Sequence, residues 1–166
     1  ATFTGAGIEG DTYSYKTQDG QWIPFNTASE LPQYVDAGSY QISVKVANGS
    51  VESVPKTATV SIQPREITLT SGSNQKVYDR NPLTKDEVNI TGDGFVEGEG
   101  VTCKVTGSQT EVGSSQNKFT YELNDGTKRT NYIITPVFGT LTVSDKDVQG
   151  VITKTHTGEK FRVNDQ

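Results

Sequence analysis

A thiol–imidazole pair in this chain could only come from Cys103 and His156, each the sole residue of its type. A catalytic thiolate needs a base within reach and electropositive surroundings. Cys103 instead alternates with Val101 and Val105, the pattern of a side chain turned towards a core, and His156 lies in the C-terminal tail. A free cysteine in such a place behaves as a small hydrophobe, so Cys103 is expected to be buried and inert. Thr155-His156-Thr157-Gly158-Glu159-Lys160-Phe161 copies the wording of a linker between C2H2 zinc fingers. One cysteine and one histidine cannot supply a finger's four ligands, so the match is coincidental. Oxygen donors cluster at Asp86-Glu87, Asp93, Glu97-Gly98-Glu99 and Asn124-Asp125. Calcium wants six to eight oxygens converging on one point, and no D-x-D-x-D-G spacing gathers them; solvated turns are expected. Neither a metal nor a cofactor is anticipated. Trp22, in Gln21-Trp22-Ile23-Pro24-Phe25, and Tyr34 are aromatics able to stack on sugar rings, which makes them the candidate ligand-binding residues. The apolar neighbours Ile23 and Phe25 give the competing expectation that Trp22 belongs to a core.

The elements that would carry these residues are strands. Period-2 alternation recurs in Tyr40/Ile42/Val44/Val46, Ala58/Val60/Ile62, Ile67/Leu69, Val101/Cys103/Val105, Phe119/Tyr121/Leu123 and Leu141/Val143. No apolar 3.6-residue period lasts three turns. Polar residues, many of them Thr and Ser, fill the intervening positions, as on the wet side of an antiparallel sheet. Asp19-Gly20, Asn48-Gly49, Gly92-Asp93-Gly94 and Asn124-Asp125-Gly126 punctuate the runs with residues suited to tight hairpins. The fold class expected is all-β, a sandwich or barrel.

Composition narrows the function. The 166 residues carry a net charge of −5, with 31% hydrophobic residues and no methionine. An acidic balance argues against nucleic acid, which needs a basic face. No apolar run approaches the roughly 20 residues of a membrane span, and no stretch reads as a signal peptide. The lack of even a start methionine reads as a piece of a longer polypeptide. Nothing pairs a nucleophile with a base, or two carboxylates, so an enzyme is not expected.

The chain also repeats itself. Asp36-Ala37-Gly38-Ser39 leads into a strand, Asn48-Gly49, and a closing Thr59-Val60-Ser61. Glu111-Val112-Gly113-Ser114 leads into a strand, Asn124-Asp125-Gly126, and a closing Thr142-Val143-Ser144. The offset is 75 residues at the glycines and 83 at the closing strands, longer loops taking up the difference. This gives a module over 1–64 lacking its opening segment, a complete module of six or seven strands over 65–145, and the start of a third over 146–166. Junctions without a Gly/Ser spacer favour a semi-rigid string. A partial module leaves a sheet edge unpaired, so the 146–166 tail is expected to exchange strands with the first module of a neighbouring molecule.

The second copy resembles the MBG/YDG-type repeats of large bacterial cell-surface, adhesin-like proteins. The resemblance rests on Ile67-Thr68-Leu69-Thr70-Ser71, Lys76-Val77-Tyr78-Asp79, Gly92-Asp93-Gly94-Phe95-Val96-Glu97-Gly98-Glu99-Gly100 and Val105-Thr106-Gly107-Ser108-Gln109-Thr110. It continues through Phe119–Thr127, Asn131-Tyr132 and Gly139-Thr140-Leu141-Thr142-Val143. It covers almost all of 65–145 and, more loosely, 33–64. It implies Ig-like or related β-sandwiches in tandem on the extracellular bacterial surface; β-grasp stays the alternative topology, since residue patterns seldom fix strand order. It marks Tyr78, Asp79, Gly94, Gly113, Asn131, Tyr132 and Gly139 as structural motif residues. Tyr78 would anchor its segment and Asp79 would cap a turn. The family pattern has glycine after Tyr-Asp, whereas Arg80 stands here, which bears on the turn type. Gram-positive surface modules often carry Lys–Asn isopeptide cross-links formed beside a buried carboxylate; Lys76, Asn131 and Glu122 supply the residue types without a telling spacing. The function expected is a stalk or spacer of repeats, with neighbouring repeats as partners. The rival is an adhesion module that binds host glycan or protein through loops or a sheet edge.

Overall fold

A computed structural model of the chain describes residues 7–145; the 146–166 tail reading and His156 lie outside the described residues. The protein is all-β, with several sheets and, among the described residues, two single-turn 3-10 segments. No helix among the described residues is long and apolar enough to cross a membrane.

Residues 11–62 build one five-stranded antiparallel sheet. β3 (Gly38–Asn48) is its spine. β1 (Asp11–Thr17) pairs along one side of it, and β2 (Ile23–Phe25) pairs outside β1. The other side of β3 is shared by β4 (Val51–Glu52) and β5 (Lys56–Ile62). Cross-strand register fixes the faces, because directly paired residues project the same way. Tyr13/Val46, Tyr15/Val44, Thr17/Ile42 and Ala58/Ile42 are partners. One face is therefore apolar, and on it Ile42 and Val44 are buried. Phe25 extends it, its ring centroid 6.1 Å from that of Tyr13 and 5.8 Å from that of Tyr15.

Residues 65–144 supply the remaining strands, in chain order β6 (Arg65–Ser71), β7 (Asn74–Val77), β8 (Val88–Gly92), β9 (Val101–Val105), β10 (Gly113–Asn117), β11 (Phe119–Leu123), β12 (Tyr132–Val137) and β13 (Gly139–Ser144). That is eight strands, where six or seven were expected. They form sheets in the orders β10-β13-β7, β11-β9 and β12-β6-β8. β10 with β11, and β12 with β13, are each one strand run broken by a single residue, Lys118 and Phe138, where the partner changes. Such breaks let a strand pass from one sheet to another. In 38–48 the same run stays whole.

Two of the expected hairpin turns do other work. Asn124–Thr127 closes a turn (Thr127 N to Asn124 O, 3.0 Å), yet β11 pairs with β9 and β12 with β6. Gly92-Asp93-Gly94 leaves the sheet. Its Asp93 carboxylate accepts from Glu66 N at 2.8 Å, and Arg65 Nε donates to Gly94 O at 2.7 Å. Both turns bind distant strands instead of joining consecutive ones.

Contacts group the chain into two compact units. The first comprises Ala1–Leu69, Ile90–Thr102 and Tyr121–Val137; the second comprises Thr70–Asn89, Cys103–Thr120 and Phe138–Gln166. The first unit thus runs through the Gln63-Pro64 link. In the second unit Leu141 and Val143 are fully buried, joined by Leu83 and packed by Tyr78.

Candidate functional site

Trp22 and Tyr34 have different surroundings. Trp22 does not join Ile23 and Phe25 in the apolar layer. It lies half-buried under two ammonium groups, Lys45 Nζ 4.8 Å and Lys16 Nζ 5.3 Å from its ring centroid. Lys16 and Lys45 pair with Ser43 and Ser14, on the polar face of the sheet. The core expectation for Trp22 is therefore corrected. Strand alternation puts Ile23 and Trp22 on opposite faces, and the indole is held there by cation–π attraction and by the lysine stems.

Tyr34 stacks on Tyr40, centroids 3.8 Å apart and planes 13° from parallel. The pair borders an open groove of about 320 Å³ with Thr17, Gln18, Asp19, Ser39 and Gln41. Polar side chains and the Tyr34–Tyr40 stack thus line it.

Next to this stack lies a polar tie inside the first unit. Lys128 Nζ donates to Asp36 Oδ2 at 2.7 Å, and Asn131 Nδ2 donates to Asp36 Oδ1 at 3.0 Å. Asn131 Oδ1 accepts from Ala37 N at 2.7 Å, and Tyr40 Oη donates to Asp36 O at 2.8 Å. Residues 36–40 and 128–131 thus hold each other across more than 90 positions of sequence. Lys128 first, then Asn131, holds the Asp36 carboxyl below its ordinary value, while Asp36 raises Lys128. A depressed carboxyl contributes above its unfolded value and loses that contribution as pH falls through its folded one; a raised lysine loses its own as pH climbs through its folded value. The tie is accordingly expected to stay closed across neutral pH and to open in acid. Titrating the Asp36 carboxyl by NMR should give a midpoint below that of an unfolded reference peptide, and Lys128→Met should move it back up.

The motif residues are structural in several distinct ways. Tyr132, 4% exposed, donates to Glu99 Oε2 at 2.5 Å and accepts from Val96 N at 3.1 Å, with its ring centroid 4.8 Å from that of Phe95. Burial first, then Glu99, raises its pKa. Gly94 and Gly113 sit at φ 72° and 140°. Gly113 opens β10 opposite Val143, as Gly38 opens β3 opposite Ile62. Asp79 accepts from Lys76 Nζ at 2.5 Å and from Asn81 N at 2.9 Å, which closes a side-chain turn and lowers its pKa. Arg80 follows at φ 72°, the one described residue other than glycine in the left-handed region. The turn thus keeps a glycine-type backbone at a cost of roughly 1–2 kcal/mol. Arg80→Gly is expected to stabilise the protein by about 0.5–1 kcal/mol, the gain trimmed by the looser unfolded chain, and a urea midpoint shift would measure it.

Cys103 alternates as expected but is half-buried, not buried, and desolvation raises its thiol pKa. It lies on β9, in a short two-stranded sheet with β11. Lys76 is committed to Asp79 and Asn81 O in the second unit, and Asn131 to Asp36 and Ala37 N in the first. Among the described residues, no three His, Cys, Asp or Glu side chains come together as metal ligands.

Sequence reading missed a buried polar knot in the second unit. Ser71 Oγ donates to Asn117 O at 2.5 Å and accepts from Gly139 N at 3.0 Å. Asn117 Nδ2 donates to Gly72 O and Lys85 O, both at 2.8 Å. The one signal in the sequence is Asn117 itself, a polar residue two positions before the buried Phe119. No protein-family model, curated protein or solved structure matches the chain significantly.

Proposed function

We propose that this chain is a stretch of stalk or spacer repeats from a bacterial surface protein, projecting a distal binding domain into the extracellular space. The modules are read as MBG/YDG-type, Ig-like units over 1–64 and 65–145, with a third beginning at 146. Reach and stiffness are the working properties. The observation that carries this reading is the tie of Asp36 to Lys128 and Asn131. It bridges the two proposed modules on either side of a two-residue link, Gln63-Pro64, between β5 and β6. A flexible linker would leave such neighbours to move independently; a short link with a second point of attachment restrains bending.

A second reading is favoured by the Tyr34/Tyr40 groove: an adhesion module that takes a host glycan there or docks host protein at its loops or a sheet edge. Glycan arrays and pull-down on host matrix proteins separate the two. The spacer reading expects no saturable binding. Binding that Tyr34→Ala abolishes would replace it with the adhesin reading, and loss on Trp22→Ala would move the glycan to the polar face of the sheet.

A further inference from the structure

The two copies differ at one edge. In the second, β13 is flanked on one side by β10 and on the other by β7, which runs parallel to it with Leu141, Thr142, Val143 and Ser144 opposite Asn74, Gln75, Lys76 and Val77. In the first, β5 has the place of β13: Gly38 meets Ile62 as Gly113 meets Val143. Among the described residues β5 pairs with β3 alone. Superposing the registers puts Val60, Ser61, Ile62 and Gln63 where Leu141, Thr142, Val143 and Ser144 stand.

Burial follows the same difference. Leu141 and Val143 are 0% and 1% exposed, beneath Tyr78 and Leu83 from the segment that β7 begins. Val60 and Ile62 are only half-buried. Among the described residues, the first copy therefore leaves this row of backbone donors and acceptors without a strand, with an apolar strip beside it.

We infer that the Val60–Gln63 edge is a docking site for a parallel strand of the β7 type, a short polar strand followed by an aromatic and an aliphatic anchor. The occupant is a segment with the chemistry of residues 71–84, Ser-Gly-Ser-Asn-Gln-Lys-Val-Tyr-Asp-Arg-Asn-Pro-Leu-Thr. Its strand would extend the sheet, and its Tyr and Leu would close over Val60 and Ile62. Backbone pairing supplies affinity in such strand addition, and alternate side chains supply selectivity. The inference rests on the repeat part of the proposed reading, not on the stalk role, so a functional ligand found elsewhere would leave it intact.

The test uses the full chain with a second copy of residues 71–84 fused ahead of its N-terminus through a Gly/Ser linker, so that a weak strand meets its edge at high effective concentration. Amide exchange at Lys56–Gln63 is expected to slow by about tenfold or more relative to the unfused chain, with shifts at Val60 and Ile62. The anchor variant of the fused strand, with its Tyr and Leu both replaced by Ala, should lose most of that protection. Unchanged exchange at Val60–Gln63 in the fused chain overturns the inference. So does protection that appears instead at the β2 edge, Ile23–Phe25. If raising the concentration of the unfused chain alone protects Val60–Gln63, the edge is filled by a second molecule's own strand, and the assigned occupant is wrong.

Discussion

Gly139→Ala is expected to cost about 3 kcal/mol or more, one of the largest losses any single methyl could cause in this chain. An added Cβ would lie 2.5 Å from the carbonyl oxygens of both Ser71 and Gly72, which are backbone atoms. Neither can rotate away as a flexible side chain would, and each is tied to the buried knot. Gly139 N donates to Ser71 Oγ, and Gly72 O accepts from Asn117. The chain passes between sheets here, from β12 to β13, so relief would require the break at Phe138 to open. Forcing extra atoms into well-packed surroundings costs roughly 1–3 kcal/mol and sometimes more; the rigid neighbours place this case at the top of that range. Urea unfolding with a probe in the second unit, such as Tyr78 or Phe138, would measure it. A loss under 1 kcal/mol would mean the approach is looser than described.

Asn117→Ala is the second large effect, about 3 kcal/mol. The side chain is fully buried, and its amide nitrogen satisfies two carbonyls, Gly72 O and Lys85 O. Removing it leaves both acceptors buried without partners, at roughly 1–3 kcal/mol each, with partial relief from relaxation. Asn117 Oδ1 itself has no hydrogen-bond partner. It lies against Gly107, where an added Cβ would collide with it. Asn117→Asp separates the donor's role from shape. The carboxylate would replace the donor with an anion facing two carbonyl oxygens, so this variant should be less stable than Asn117→Ala at neutral pH. It should recover in acid as the carboxyl takes a proton and can donate. A pH-independent Asn117→Asp would contradict the assigned hydrogen bonds.

These two residues show what the sequence could and could not convey. Alternation exposed the strands, because the pleat forces a period of two that no loop mimics for long: Ile67, Leu69 and Ser71 are buried in turn, as are Leu141 and Val143. Gly139 stood out as a motif glycine, but its reason, two facing carbonyls, is long-range. Asn117 carried almost no signal, since a buried asparagine is fixed by partners 32 and 45 residues away. The core expectation for Trp22 fails because its apolar neighbours Ile23 and Phe25 point to the opposite face, a matter of strand position that composition does not convey. Asp36 and Asn131 were both in view, one in the repeat and one in the motif. Their meeting, and the part of Lys128, depended on how the chain turns after Ile62, which no local pattern encodes. Arg80 is the reverse case: the expected glycine was missing, and the backbone kept the glycine conformation at φ 72°.

The most direct test of the spacer account is rotational. Relaxation of 15N amides in β1, β3 and β5 can be compared with that in β6 and β12, all in the intact chain. The tie of Asp36 to Lys128 and Asn131 predicts one shared tumbling time for both groups, and a split between them once Asp36→Ala and Asn131→Ala are introduced together with the spectra otherwise preserved. Two separate tumbling times in the unaltered protein would contradict a stiff junction, and with it the reading of this chain as a spacer.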